Sequence, residues 1–400
     1  MHLRIRFGWL CLMWVLLLPA CSDDGDDEPE PAPLRFVSAT PVGSWEAAQL
    51  QLLVQFSGTE LDPALVRYDA QIFRMVYKTR YRDQDIEASG LVALPVTTEA
   101  VPIISFHRGT IVEHEDAPSV QTSNTEEVIL YAALSSMGYI AVIPDMLGFG
   151  SATSVLHPYY IEEPTAAAVV DMLIAAEELA RQQNTGFNSD VYLAGYSQGG
   201  YITMAAHKAL EENPVKGFNL AASFPAAGGY DLHAMQEYFF TVGQYSDPHY
   251  LAYLGAAYAE YYDNPDIITA MFAPQYAEII PGLFNGTTSK TQIDAALTED
   301  MNALLNPELL ANPADPKFAP FMTLLDENTL TDWAPEAPMY MYHGDADVAV
   351  PYSNSVSTYD KLVANGSTSI TFITLEGHTH GSGITPYVED VVRKLAEMRD

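Results

Sequence analysis

Cysteine is nearly absent from this sequence: of 400 residues only Cys11 and Cys21 are thiols, and both fall within the first 21 positions. The rest of the chain therefore cannot close a disulfide, and its stability must come from core packing. Basic residues are also scarce, with 18 Lys plus Arg against 52 Asp plus Glu, a formal net charge of -34. Nucleic acid is excluded as a natural partner, because phosphate binding needs clustered Lys and Arg. Charged residues make up only 18% and apolar ones 48%, so the bulk of the chain is globular rather than disordered. There is no internal repeat. Long apolar runs are missing as well, except at the start, where Arg4 and Arg6 precede a run from Phe7 to Leu18.

That run is shorter than a membrane span of about 20 residues and fits the core of a signal peptide over residues 1–20. It ends in "LPAC", Leu18 to Cys21, which resembles the lipobox of bacterial lipoproteins. The resemblance implies that Cys21 is acylated and becomes the mature N-terminus. The segment that follows, "SDDGDDEPEPAP", reads by composition as a solvated acidic tether over residues 21–34. It also resembles the acidic signals after the lipidated cysteine of surface lipoproteins in some Gram-negative bacteria. The expected location is the outer membrane or cell surface, with outer-membrane lipid as a partner through Cys21.

From residue 35 to 400 the pattern alternates. "AQIFRMVYKTRY" and "IEASGLVALP" read as an antiparallel start, and "VPIISF" and "GYIAVIPD" as strands buried on both faces. A helix fits between the latter two, and another follows over residues 163–183, with Pro164 in its first turn. Further strands are expected in "DVYLAGYS", "NLAASFPAAGG", "APMYMYHGDADVAVP" and "STSITFITLEGHTHG", the last followed by a terminal helix. Alternating strands and helices imply an α/β fold, a mostly parallel sheet wound on both faces. Strand signals stop between Tyr230 and Trp333, and twelve of the 52 residues from 233 to 284 are aromatic. That stretch, 230–333, reads as an inserted helical cap whose apolar underside could form an acyl pocket.

In "DVYLAGYSQGG" a strand-like run meets a helix-like one at Ser197, flanked by Gly195 and Gly199. This is the nucleophile elbow, in which a sharp turn exposes the serine oxygen. A hydroxyl needs a base to take its proton, and an acid to orient that base. The base is sought in "TLEGHTHGSG", after the last strand; His380, several residues beyond the strand and followed by flexible "GSG", is preferred to His378. His207, in the helix behind Ser197, reads as a packing residue. For the acid, "YHGDADVAVP" offers Asp345 and Asp347; Asp347 is preferred, and Asp345 is expected to cap the turn. Read instead as a metal site, the pair lacks further ligands at suitable spacing, so no metal is expected. The order Ser197, Asp347, His380 is that of α/β-hydrolases. Oxyanion donors are expected from the backbone N–H of Gln198, after the nucleophile, and of Thr110, in the loop that ends "SFHRGT".

"GYSQGG", "HGDADVAVP", "GYIAVIPDMLGFGSA" with "HPYY", and "AAGGYDL" together resemble the secreted α/β-hydrolases related to the secretory-lipase family. The likeness runs from about Gln71 to the C-terminus. It implies an α/β-hydrolase fold and cofactor-free hydrolysis of small-molecule carboxylic esters by a serine triad under a helical cap. Related sequences tend to read "HGT" where this one has "RGT", Arg108 to Thr110. A serine peptidase of the same fold and a non-catalytic surface binding lipoprotein are the rival readings, the second disfavoured by the intact Ser197, Asp347 and His380.

Overall fold

The structure is a computed structural model that describes residues 34–56, 62–121 and 126–399. The expected signal peptide, Cys21 and all but the last residue of the acidic tether lie outside the described residues.

The first strand, β1 (Phe36–Trp45), is one that the sequence pattern does not disclose. Among the described residues it pairs only with β2 (Ala70–Tyr81), which forms a hairpin with β3 (Gln84–Pro95) in register from Ala70↔Pro95 to Tyr81↔Gln84. Its neighbours along the sheet are β4 (Ala100–His107), β5 (Ile140–Pro144), β6 (Gly186–Tyr196), β7 (Asn219–Ala226), β8 (Met339–Gly344) and β9 (Ile370–Leu375). The sheet order is β1-β2-β3-β5-β4-β6-β7-β8-β9. The first three strands are antiparallel, β3 meets β5 antiparallel, and every pairing from β5 to β9 is parallel.

Period-two alternation assigns each strand residue to a face. In β6, Val191 and Leu193 join the core under α3 (Glu162–Gln182) and α4 (Gln198–Glu212), with Met172, Leu173, Ile202 and Ala206. Tyr192, Ala194 and Tyr196 face the opposite core, under α1 (Ala47–Phe56), α2 (Glu126–Ser136) and the C-terminal helix Ile384–Arg399. Helices thus cover both faces, which is why the parallel strands read as unbroken apolar runs.

After β7 the chain leaves the sheet and returns only at β8. The excursion holds α5 (Leu232–Thr241), α6 (His249–Tyr261) and shorter helices down to Ala319–Glu327. Its aromatics mostly pack inward: Phe239, Tyr245, Tyr253, Tyr258, Phe272 and Phe284 belong to one buried cluster with Tyr201 and Met204 of α4. Both roots are tied to the sheet domain. The Asn354 side chain accepts from Tyr230 N–H and donates to the Asp231 carbonyl, and the Asn365 amide donates to the carbonyls of Thr331 and Trp333.

Candidate active site

Ser197 sits between β6 and α4 with φ 60 and ψ -125, a backbone conformation unusual for a side-chain-bearing residue. Such strain costs on the order of 1–3 kcal/mol and persists only when the surroundings impose it. Here they do. A Cβ at Gly195 would stand 2.2 Å from the Gly199 carbonyl oxygen, and one at Gly199 would stand 2.0 Å from the His107 carbonyl oxygen. Only glycine lets strand, helix and β4 close this tightly, and Ser197 N–H is fixed to the Ala226 carbonyl at 2.9 Å. The hydroxyl is thereby held above the C-terminal ends of the parallel strands.

The loops after β8 and β9 bring the other two residues to it. His380 Nε2 lies 2.8 Å from Ser197 Oγ, and His380 Nδ1 lies 2.7 Å from Asp347 Oδ2. Because Asp347 can only accept, Nδ1 carries the ring proton and Nε2 is free to accept from the serine. Tyr196 fixes the histidine loop: its hydroxyl donates to the His380 carbonyl at 2.8 Å, and its ring meets the imidazole at 5.4 Å. The alternatives weighed in the sequence take other places. His378 makes its side-chain bond to Ser382 Oγ at 3.3 Å, and Asp345 accepts from Gly377 N–H at 2.6 Å, latching the two loops together. His207 is buried against Ser223 and Glu211.

Asp347 has no exposed side-chain surface, yet its carboxyl is held at a pKa of about 2. Burial works to raise it; the interactions with His343 and His380, above all the hydrogen bonds they donate, outweigh that cost. Its other oxygen, Oδ1, accepts from the N–H groups of Ala349 at 2.9 Å and Val350 at 3.0 Å. His343 lies inside β8, where it reads as one more strand residue, and sequence reasoning passes over it.

Gln198 opens α4, so by position its N–H has no intrahelical partner and is available to a ligand. The Gln198 side chain donates to His157 Nε2, while His157 Nδ1 donates to the Leu147 carbonyl at 2.7 Å. Burial holds the pKa of His157 down to about 4, so the ring is neutral and an acceptor. Gly109 runs beside Ser197: a Cβ built on it would stand 3.6 Å from Ser197 Cβ. Thr110 follows, its hydroxyl bonded to Tyr159 Oη at 2.8 Å. Arg108 is committed elsewhere, to the Asp116 carbonyl and, at 3.1 Å, to Glu127. His157 and Tyr159 are visible in "HPYY", but only the fold shows what they touch.

Ser197 opens on an apolar pocket walled by Tyr159, Tyr160, Tyr245, Tyr250, Leu232, Met235, Phe239, Leu251, Leu254, Val350 and their neighbours. No charged side chain lines it. A second apolar pocket lies further into the insertion and shares Leu232, Met235, Phe239, Leu251 and Leu254 with the first. Among the described residues no group of three or more His, Cys, Asp or Glu is arranged to hold a metal ion.

The family model described as "Alpha/beta hydrolase family" matches residues 126–396, more than half of the chain. The chain belongs to the alpha/beta hydrolase family. Solved structures agree on the fold. This hydrolase superposes on a Legionella pneumophila protein assigned as a hydrolase with a TM-score of 0.81 at 27% identity, over 91% of this chain and 98% of the other. A ligand-bound form of the rice cell wall degrading esterase LipA from Xanthomonas oryzae gives a TM-score of 0.78 at 22% identity, covering 91% and 98%. Candida antarctica lipase A in its closed state gives 0.62 at 17% identity, covering 86% and 77%. No curated protein matches the sequence.

Proposed function

We propose that this alpha/beta hydrolase is a serine esterase that cleaves carboxylic esters through an acyl-enzyme on Ser197. The observation that carries the reading is the unbroken hydrogen-bonded path from Ser197 through His380 to Asp347, 2.8 and 2.7 Å, at the mouth of an apolar cavity. Ser197 Oγ attacks the ester carbonyl carbon as its proton passes to His380 Nε2, and Asp347 stabilises the imidazolium. The carbonyl oxygen, now anionic, takes hydrogen bonds from the N–H groups of Gln198 and Thr110. Collapse breaks the bond to the alcohol, which leaves with the proton from His380. Water, deprotonated by the same histidine, then attacks the acyl carbon and frees the acid and Ser197.

The esterase and lipase names of the structural neighbours support ester chemistry, as does the likeness to the secretory-lipase family. The apolar wall favours an acyl group over a charged one. A peptide amine would find no carboxylate on that wall, which sets the ester reading ahead of the peptidase one.

A fluorophosphonate probe should label a single residue, and mass spectrometry should place it on Ser197, with no label in Ser197→Ala. On p-nitrophenyl butyrate His380→Ala should lose on the order of a thousandfold or more in kcat, and His378→Ala little. Undiminished labelling of Ser197→Ala, or the reverse ranking of the two histidines, would sink the assignment.

A further inference from the structure

Asp347 carries two imidazoles, and the proposed reaction uses one. Its Oδ2 accepts from His380 Nδ1 at 2.7 Å and also faces His343 Nε2 at 3.1 Å. His343 Nε2 lies 3.0 Å from the Val350 carbonyl oxygen as well. Both of those partners are acceptors, so Nε2 bears the proton. On the far side of the ring, His343 Nδ1 stands 2.6 Å from Ser355 Oγ, which donates to it when the imidazole is neutral. His343 and Ser355 are wholly buried. The ring is therefore clamped between Ser355 on one side and Asp347 with the Val350 carbonyl on the other, which together set its tautomer.

We infer that His343 is a positioning residue that holds the Asp347 carboxylate in the orientation that serves His380; this rests on the serine-esterase reading of the site. Two backbone N–H groups fix Oδ1, and without His343 the place of Oδ2 would be set by His380 alone. His380 is the group that must gain and lose a proton while Asp347 keeps its aim. A donor from the rigid strand β8 makes the acceptor independent of the state of the base, which is the preorganisation that a triad needs. It also brings the carboxylate to four donors, its full capacity, in a place that water does not reach. Tyr352 meets the His343 ring edge-on at 5.8 Å, and Tyr196 is the aromatic neighbour of His380. The hydrogen bonds that the structure gives to the two imidazoles bring no carboxylate other than Asp347.

His343→Leu removes the donor, and His343→Gln returns an N–H at a similar reach; circular dichroism and thermal melts establish that each is folded. On p-nitrophenyl butyrate the leucine variant should lose about 10- to 100-fold in kcat, with KM within about twofold, less than the loss of a triad member, and glutamine should recover most of it. The proton NMR resonance of His380 Nδ1–H, identified by its disappearance in His380→Ala, should shift or broaden in His343→Leu and return in His343→Gln. That readout needs no turnover. A protein that hydrolyses no ester but whose resonance responds in this way would defeat the esterase reading and support the positioning role. A folded His343→Leu with kcat within about twofold of the parent and an unmoved resonance overturns the inference. Should the leucine variant not fold, Ser355→Ala, which frees His343 Nδ1 alone, takes its place, and an unmoved resonance with unchanged kcat overturns the inference in the same way.

Discussion

Buried histidines set how this molecule responds to acid. His107 lies under the elbow with Nε2 3.0 Å from Ser105 Oγ and Nδ1 2.8 Å from Thr203 Oγ1. Thr203 gives its own proton to the Gly199 carbonyl, so His107 Nδ1 donates. Burial brings its pKa down to about 3, and that of His157 to about 4, against about 6.5 in an unfolded chain. Between those values the unfolded state binds a proton that the folded state does not. Stability from each ring is thus complete above about pH 6.5 and falls by about 1.4 kcal/mol per pH unit as pH drops toward the folded pKa. Asp347, depressed to about 2, adds to the loss only below about pH 4, whereas Asp145, raised by burial, pulls the other way. The difference between variants isolates one ring: in urea unfolding from pH 7.5 to 4.5 the stabilities of His107→Gln and the parent should run parallel above about pH 6.5 and, below it, the slope of His107→Gln should be shallower by about 1.4 kcal/mol per pH unit; equal slopes below about pH 6.5 would contradict the assignment. At this scale the sequence pointed to Ser197, Asp347 and His380, because each stands at the end of a strand in a recognisable order, and the structure brings the three within hydrogen-bond reach. It did not disclose His107, His157 or His343, since a histidine within or beside a strand is identified only by what the fold packs against it.

Elements were legible where burial is two-sided and illegible at the edge. β4 and β5 read correctly because helices cover both their faces and nearly every side chain is apolar. β1 escaped notice because it contains Pro41 and Gly43 and is largely exposed, so neither period nor composition marks it. The helix–strand corner is the element on which the proposed function turns, and it is testable by one methyl group. In Gly199→Ala the new Cβ would stand 2.0 Å from the His107 carbonyl oxygen and 2.7 Å from its carbon, backbone atoms that cannot swing aside. Overpacking of this kind costs about 1–3 kcal/mol. It would also displace Ser197 from His380, so kcat should fall by at least about a hundredfold, since a misplacement of about 1 Å has that effect. Gly282→Ala, with nothing within 4 Å of the added carbon, is the control and should match the parent in both urea midpoint and kcat. Parental activity in Gly199→Ala would show that the elbow is looser than its geometry implies.

For the whole molecule, the alternation of strand and helix and the aromatic-rich interruption after β7 made the architecture readable, while the packing of the short helices over Ser197 depended on contacts between residues far apart in sequence. What remains to be placed is the molecule itself. We propose that it is a lipoprotein held at the outer membrane or cell surface by Cys21. The apolar run, the "LPAC" ending and the acidic tether are all features of the sequence of residues 1–34, and the first described strand starts at Phe36. One acyl chain of myristoyl length holds a protein to a bilayer only marginally, at about 0.8 kcal/mol per buried CH₂, whereas two or more give stable attachment. Acylation of both the thiol and the amine of Cys21 would meet that requirement. Palmitate labelling of cells should therefore mark the wild type and not Cys21→Ser, and fractionation with surface proteolysis should find the wild type in the outer-membrane fraction. A chain starting at Pro31 should keep nearly full esterase activity, because a segment this acidic and proline-rich is unsuited to packing into a core. An unlabelled wild type found wholly soluble in the periplasm would refute the anchor and leave the chemistry at Ser197 untouched.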